Sequence, residues 1–337
     1  MGFNQSQLHV SRPLTDLVVS YDPNQDGFIR SKFFPRKPVG NLANQIRQIS
    51  KGDLLRLYDG KVGADGRVHE VQFRLDTTLT YSCIPYAFQA VLDNLEAQNA
   101  DGELQYEQRQ AMAANAALQN SLEYVAVKQI LRDTAVMTNN TTLSGGTLWD
   151  NYSSATSQPL DDMIAACQLV RMRTGKNVNN ISMSEITWNV LAQHPNVLSR
   201  MPVHTTGPTG AILTVKILED VLRVDPGSIN VTTATYNSAK QGETAAYKSY
   251  IGSDVLVART ENPSLSDFGL GHEFAFSGFG SDPVAVFKYP DNLRGALGAD
   301  IIKVVSMVDF KVLNADAGYL IKTTLDTTKT AYGSFVD

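Results

Sequence analysis

Imidazole binds transition metals and moves protons near neutral pH, so the histidines come first in a search for chemistry. His9, His69, His194, His204 and His272 nowhere stand at a spacing that lets two rings share a metal. Neither His-Glu-x-x-His nor Cys-x-x-Cys occurs, and Cys83 and Cys167 alone cannot build a disulfide framework. Half of a calcium loop is present: Asp22, Asn24 and Asp26 supply oxygens at positions one, three and five, Gly27 is at six and Ile29 at eight. Position twelve, which needs a bidentate glutamate, is Phe33, so the stretch reads as a turn.

Other matches fail in similar ways. Arg173-Thr174-Gly175-Lys176 has Val170 where a phosphate loop needs its first glycine, and no hydroxyl follows the lysine. Gly269-Leu270-Gly271-His272-Glu273-Phe274 lacks the third glycine of a dinucleotide fingerprint and leads into a strand pattern. Asp161 and Asp162 could form a carboxylate pair, but they fall in the first turn of a helix, where acidic residues complement the dipole. The expectation is a chain with no catalytic residues, no cofactor and no metal, and thus not an enzyme.

The elements available to position side chains point elsewhere. The 337 residues carry a formal net charge of −5, which disfavours a dedicated nucleic-acid binder. Charged residues are only 19% of the chain, below the ~25% of ordinary soluble domains. Interface cores are depleted in charge, so the shortage predicts that much of the surface meets protein. No apolar run reaches the ~20 residues of a membrane span.

Residues 1–35 hold scattered apolar groups and a turn-rich stretch, and read as an arm. Phe33-Phe34-Pro35-Arg36-Lys37-Pro38-Val39 is extended and punctuated by proline. A long β-excursion is expected to about residue 85, with a strand over Asp53–Tyr58, a glycine-rich tip at Gly60–Gly66, alternation over Arg67–Leu75 and a return leg at Thr77–Tyr81. Such a ribbon is marginal alone and needs a neighbour to lie against.

After Pro85 the pattern turns helical. Glu103–Thr134, free of proline and glycine, predicts a spine helix with Leu118, Leu122, Val125 and Gln129 as its stripe. A polar loop with Trp149-Asp150-Asn151-Tyr152 leads to a compact α+β region. There a helix starts at Pro159 and stops at Gly175, Asn180–Met183 is a strand, and Ser184 caps a second helix ending at His194-Pro195. A third helix covers about 211–224, with strands at Ser228–Thr235, Asp254–Arg259 and Glu273–Ser277. Late strands at Val284–Tyr289, Asp300–Leu313 and Tyr319–Leu325 have no helices between them and are expected to return over the spine helix.

This order of parts resembles the major capsid proteins of tailed bacteriophages, the HK97-like fold, and most of all their lambda-type branch. The residues that carry the likeness are Phe34-Pro35-Arg36-Lys37-Pro38-Val39, Trp149-Asp150-Asn151-Tyr152 with Ser157-Gln158-Pro159, Gly175–Ser184, and Trp188–Pro195. The resemblance implies an α+β capsid subunit with an N-terminal arm at 1–35, an extended loop at 36–85, a peripheral domain at 86–156 and 284–337 (its last strand returning to the axial domain), and an axial domain at 157–283. It implies homo-hexamers and homo-pentamers in an icosahedral shell around double-stranded DNA that is contacted non-specifically. A separate scaffolding protein, a portal and a decoration protein are the implied partners; synthesis is in the host cytoplasm, residence in the virion, and no membrane is involved. Arg30, Arg36, Lys61, Arg67 and Arg74 are the candidate assembly contacts. Two alternatives stand beside this one: an encapsulin-like nanocompartment shell, and a soluble enzyme with an unrecognised site.

Overall fold

Two large β-sheets, one of six strands and one of five, share a first hydrophobic core with a long helix, and a second core covers the other face of the five-stranded sheet. The computed structural model describes residues 9–10, 14–15, 17–18, 27–49, 51–58, 60–61, 66, 68, 70–71, 75–76, 78–95, 103–200, 213–264, 268–278, 284–294, 298–326 and 329.

The first sheet has six strands built around Ala299–Val312, which at 14 residues is well beyond usual strand length. Ala285–Asp291 pairs with its first half and Gly271–Phe276 with its second, both antiparallel, and Arg36–Val39 adds parallel to Gly271–Phe276. His9–Val10 extends the sheet beyond Ala285–Asp291. Ile84–Asp93 runs antiparallel to the central strand from Val308 to Ala299. This last strand corrects the helical expectation after Pro85. Ala, Gln and Leu favoured helix there, but Ile84, Tyr86, Phe88 and Val91 are good strand residues, and a ten-residue partner overrides weak local preference.

The spine helix, Glu103–Glu123, packs on this sheet and continues as π-helix from Tyr124 to Leu131. Ala111, Ala114, Leu118 and Leu122 face the core at helical spacing. The wider π turns then rotate the inward face. Ala126, Val127 and Leu131 are buried, while Val125 is half-buried and Gln129 exposed, correcting the expected stripe. The strand at Gly271–Phe276, expected inside the compact α+β region, belongs to this sheet instead. A Cβ on Gly271 would lie 2.1 Å from the Lys311 carbonyl oxygen, so glycine is there for close strand approach and not for a nucleotide.

The second sheet has the order Ile229–Thr232, Asn180–Ser184, Val255–Ala258, Gly318–Lys322, Asn140–Thr142. Gly318–Lys322, the last strand among the described residues, and the segment after the spine helix therefore both return to it. Helix Pro159–Thr174 lays Leu160, Met163, Ala166, Cys167 and Val170 on this sheet. Its ends follow the sequence reading: Pro159 at the start, Asp161 and Asp162 in the first turn, and Gly175 left-handed (φ +71°) at the C-terminus. Both carboxylates have further uses. Asp162 accepts the Trp149 Nε1–H at 2.9 Å, and Asp161 pairs with Arg200. Ser184 caps Glu185–Gln193 by accepting the Thr187 N–H, and that helix ends before His194. The third helix is shorter than expected, Val215–Leu222.

Candidate assembly surfaces

The ribbon leaves the six-stranded sheet after Val39. Ala43–Gln45 pairs antiparallel with Thr80–Ser82, and farther out Gln48–Ile49 pairs with Leu75–Asp76. Between these two ladders the register slips by one residue, as a bulge requires. The expected strand at Asp53–Tyr58 is not formed. Lys51–Leu54 is a helical turn, where Asp53 pairs with Arg56 at 3.1 Å, and the residues after it are irregular.

The stem of the ribbon is fixed to the body by a small cluster of its own. Ile46, Tyr81, Cys83 and Phe274 are buried together, with Val39, Phe276, Met307 and Leu313 packed around them. The Tyr81 ring stacks on Phe274, and the Lys37 ammonium lies 5.6 Å from the same ring centroid. The Ser82 N–H donates to Asp309 at 2.8 Å. Beyond this anchor several of the described apolar residues are exposed. Leu57 is 97% exposed and Val68 78%, with Leu55, Val71, Leu75 and Leu79 also exposed. Single exposed hydrophobes are ordinary, whereas a run of them on one projection marks an interaction surface.

The predicted contact residues are distributed unevenly. Arg36 reaches Glu273 at 3.0 Å and keeps part of its guanidinium in solvent; Lys61 is exposed in the ribbon. Arg30 is turned inward, 3.6 Å from Glu273 and hydrogen-bonded to Gln119, which commits it within the subunit. Arg67 and Arg74 lie outside the described residues, as do residues 22–26 of the half-written calcium loop. Phe33, its twelfth position, is fully buried in the first core. Among the described residues, no group of three or more His, Cys, Asp or Glu side chains is placed to hold a metal.

One arrangement resembles a nucleophile and its base. Ser157 Oγ and His194 Nε2 are 3.0 Å apart and buried. The Asn196 N–H donates to His194 Nδ1, so the neutral ring carries its proton on Nε2 and donates to the serine. The serine hydroxyl in turn donates to the Leu148 carbonyl at 2.7 Å. No lone pair on the ring faces the serine proton, and burial also lowers the basicity of the imidazole. The pair ties the Trp149 loop to the helix end. Lys176, from the incomplete phosphate loop, pairs with Glu261 and lies over the Phe268 ring.

Glu123 and Glu273, both buried, organise the joint between the sheets and were missed in the sequence. Their partners Ile29, Arg30 and Arg36 are far away along the chain, so no local spacing could reveal them.

No protein-family model and no curated protein matches the chain. Solved structures do. A phage-related protein from Bordetella bronchiseptica RB50 superposes with a TM-score of 0.70 at 21% identity, covering 94% of this chain and 98% of that one. The capsid structure of cyanophage P-SCSP1u matches over 90% of this chain and 89% of its own, with a TM-score of 0.52 at 12% identity. This is the HK97-like capsid fold. A structure from Microbacterium phage Oxtober96 gives a TM-score of 0.53 at 10% identity, over 90% of this chain and 93% of that chain. At such identities the likeness is one of architecture. No helix among the described residues is long and apolar enough to cross a membrane.

Proposed function

We propose that the chain is a phage-type major capsid protein, a structural subunit that assembles with copies of itself into hexamers and pentamers of a closed shell. The exposed apolar surface of the ribbon beyond its anchored stem carries this reading. A projection rigid at its base and greasy at its end has its free-energy minimum when the end is buried on another molecule, at roughly 25 cal/mol per Å² of apolar area. Repeated around closed symmetry, modest contacts sum to a stable assembly.

On this reading residues 1–35 are the arm, 36–85 the extended loop, 86–156 and 284–337 the peripheral domain and 157–283 the axial domain. Sheet membership supports two adjustments: Gly271–Phe276 goes with the peripheral sheet, and Gly318–Lys322 with the axial one. Arg36, Lys61, Arg67 and Arg74 remain the candidate charged contacts between subunits, while Arg30 serves within one. A separate scaffolding protein, a portal, a decoration protein and packaged DNA held without sequence preference are the partners that fit such a shell, with synthesis in the host cytoplasm and residence in the virion. The role is architectural and needs no catalysis.

Electron microscopy of the purified protein tests the proposal: closed particles or free hexamers and pentamers are expected, and a monodisperse monomer would overturn it. Deleting Gly60–Gly66 is expected to leave the subunit folded and abolish particles. Particles filled with protein rather than DNA, from the native source, would favour the nanocompartment.

A further inference from the structure

Residues Gly27–Phe34 touch the spine helix and both sheets. From the five-stranded sheet, the Thr232 hydroxyl donates to the Gly27 carbonyl, Asn180 Nδ2 donates to the Lys32 carbonyl at 3.1 Å, and Asn230 accepts from the Lys32 ammonium. From the six-stranded sheet, Glu273 faces Arg30. From the spine helix, the Glu123 carboxylate accepts the Ile29 N–H at 2.8 Å and the Arg30 N–H at 3.3 Å. Phe33 and Phe34, both fully buried, seat the segment in the first core. Space is tight at its start, where a Cβ on Gly27 would come within 2.8 Å of the Ala234 side chain.

We propose that this segment is a latch bridging the two sheets and the spine helix, and that ionisation of the Glu123 carboxyl loosens it. Glu123 is only 1% exposed. The ionisable groups that act on it are the Arg30 guanidinium from the latch, the Glu273 carboxylate from the six-stranded sheet and the Tyr250 side chain from the loop after Tyr247–Ser249. Arg30 is shared with Glu273 and Gln119, so its charge is not Glu123's alone. The balance of these groups leaves a carboxylate that is hydrogen-bonded yet poorly solvated.

Burial pushes Glu123 up to about 7; the Ile29 N–H and the Arg30 charge pull it back only in part, and Glu273 adds to the rise. When the latch opens, the carboxyl meets water and returns toward 4.5. The closed form therefore binds the proton more tightly than the open form. Its advantage is complete below the solvated value and is lost as pH rises through 7. Raising the pH, not lowering it, favours release. From pH 6 to pH 8 the ratio of open to closed latch should rise about tenfold, the linkage expected of one such carboxyl.

Hydrogen exchange on the full chain, corrected for the intrinsic pH dependence of amide exchange, tests this in free subunits and shells alike, so its outcome does not depend on the proposed assembly. Amides of residues 27–34 should lose about tenfold in protection between pH 6 and pH 8, while Ala111–Leu118 of the spine helix stays unchanged. Glu123→Gln should abolish the change. A flat profile in the unsubstituted protein overturns the proposal, as does an unaltered profile in Glu123→Gln. Should Glu123→Gln fail to fold, Arg30→Gln serves: loss of the cation must move the midpoint upward, and a midpoint that stays or falls rejects the latch.

Discussion

Tyr81 and Phe274 lie ring on ring, centroids 4.7 Å apart and planes 1° from parallel. One ring is on the return leg of the ribbon and the other is in the six-stranded sheet, so the stack is a central contact of the cluster that holds the stem to the body. Removing the ring in Tyr81→Ala should cost about 3–5 kcal/mol, the range for truncating a buried aromatic. Thermal unfolding reads that loss, and sedimentation should show fewer particles than for Tyr81→Phe, which keeps the stack.

Leu57 and Val68 make the opposite case. They are well exposed in the subunit, so Leu57→Asp or Val68→Asp should change the stability of the free subunit by less than about 0.5 kcal/mol. If the ribbon is buried on a neighbour, either substitution should still suppress particle formation. Wild-type particle yield from both variants would show that this surface stays in solvent.

Asp254 and Arg132 pair at 2.6 Å with side chains almost fully buried, linking the end of the spine helix to the five-stranded sheet. Arg132 also donates to the Tyr250 carbonyl, and Asp254 accepts the Thr323 N–H. Asp254→Ala would strand a buried guanidinium, so a loss of about 3–5 kcal/mol is expected in denaturant unfolding. Replacing both partners with apolar residues should recover much of it.

Both cysteines are buried, and burial pushes each thiol up to about 11. A raised pKa leaves the neutral thiol dominant well past pH 9, and the thiolate is the reactive form. A thiol reagent at pH 8 should therefore leave the native protein essentially unlabelled and modify both residues once it is unfolded. Rapid native labelling at Cys83 would mean that the stem cluster opens readily.

The ends of two helices and the places of several strands were legible because their causes are local. Pro159, Asp161, Asp162 and Gly175 bracket one helix by backbone geometry and dipole, and Ser184 starts the next through its own hydroxyl. The order of those parts was enough to suggest the capsid architecture. Ile84–Asp93 was misread because its strand character depends on a partner more than two hundred residues later in the chain. The inward face of the spine helix was misread beyond Leu122 because a π-helical stretch changes the period on which the reading rests.

The amino-acid order by itself determined the caps of two helices, the low content of charged residues and the lack of an intact copy of the catalytic and metal motifs sought. Only the tertiary structure decided which apolar residues of the ribbon are anchored and which are left exposed, and that Glu123 and Glu273 meet across the joint between the sheets. Capping and periodicity act within a few residues, whereas burial and the pairing of charges are properties of surfaces that exist only once distant segments have come together.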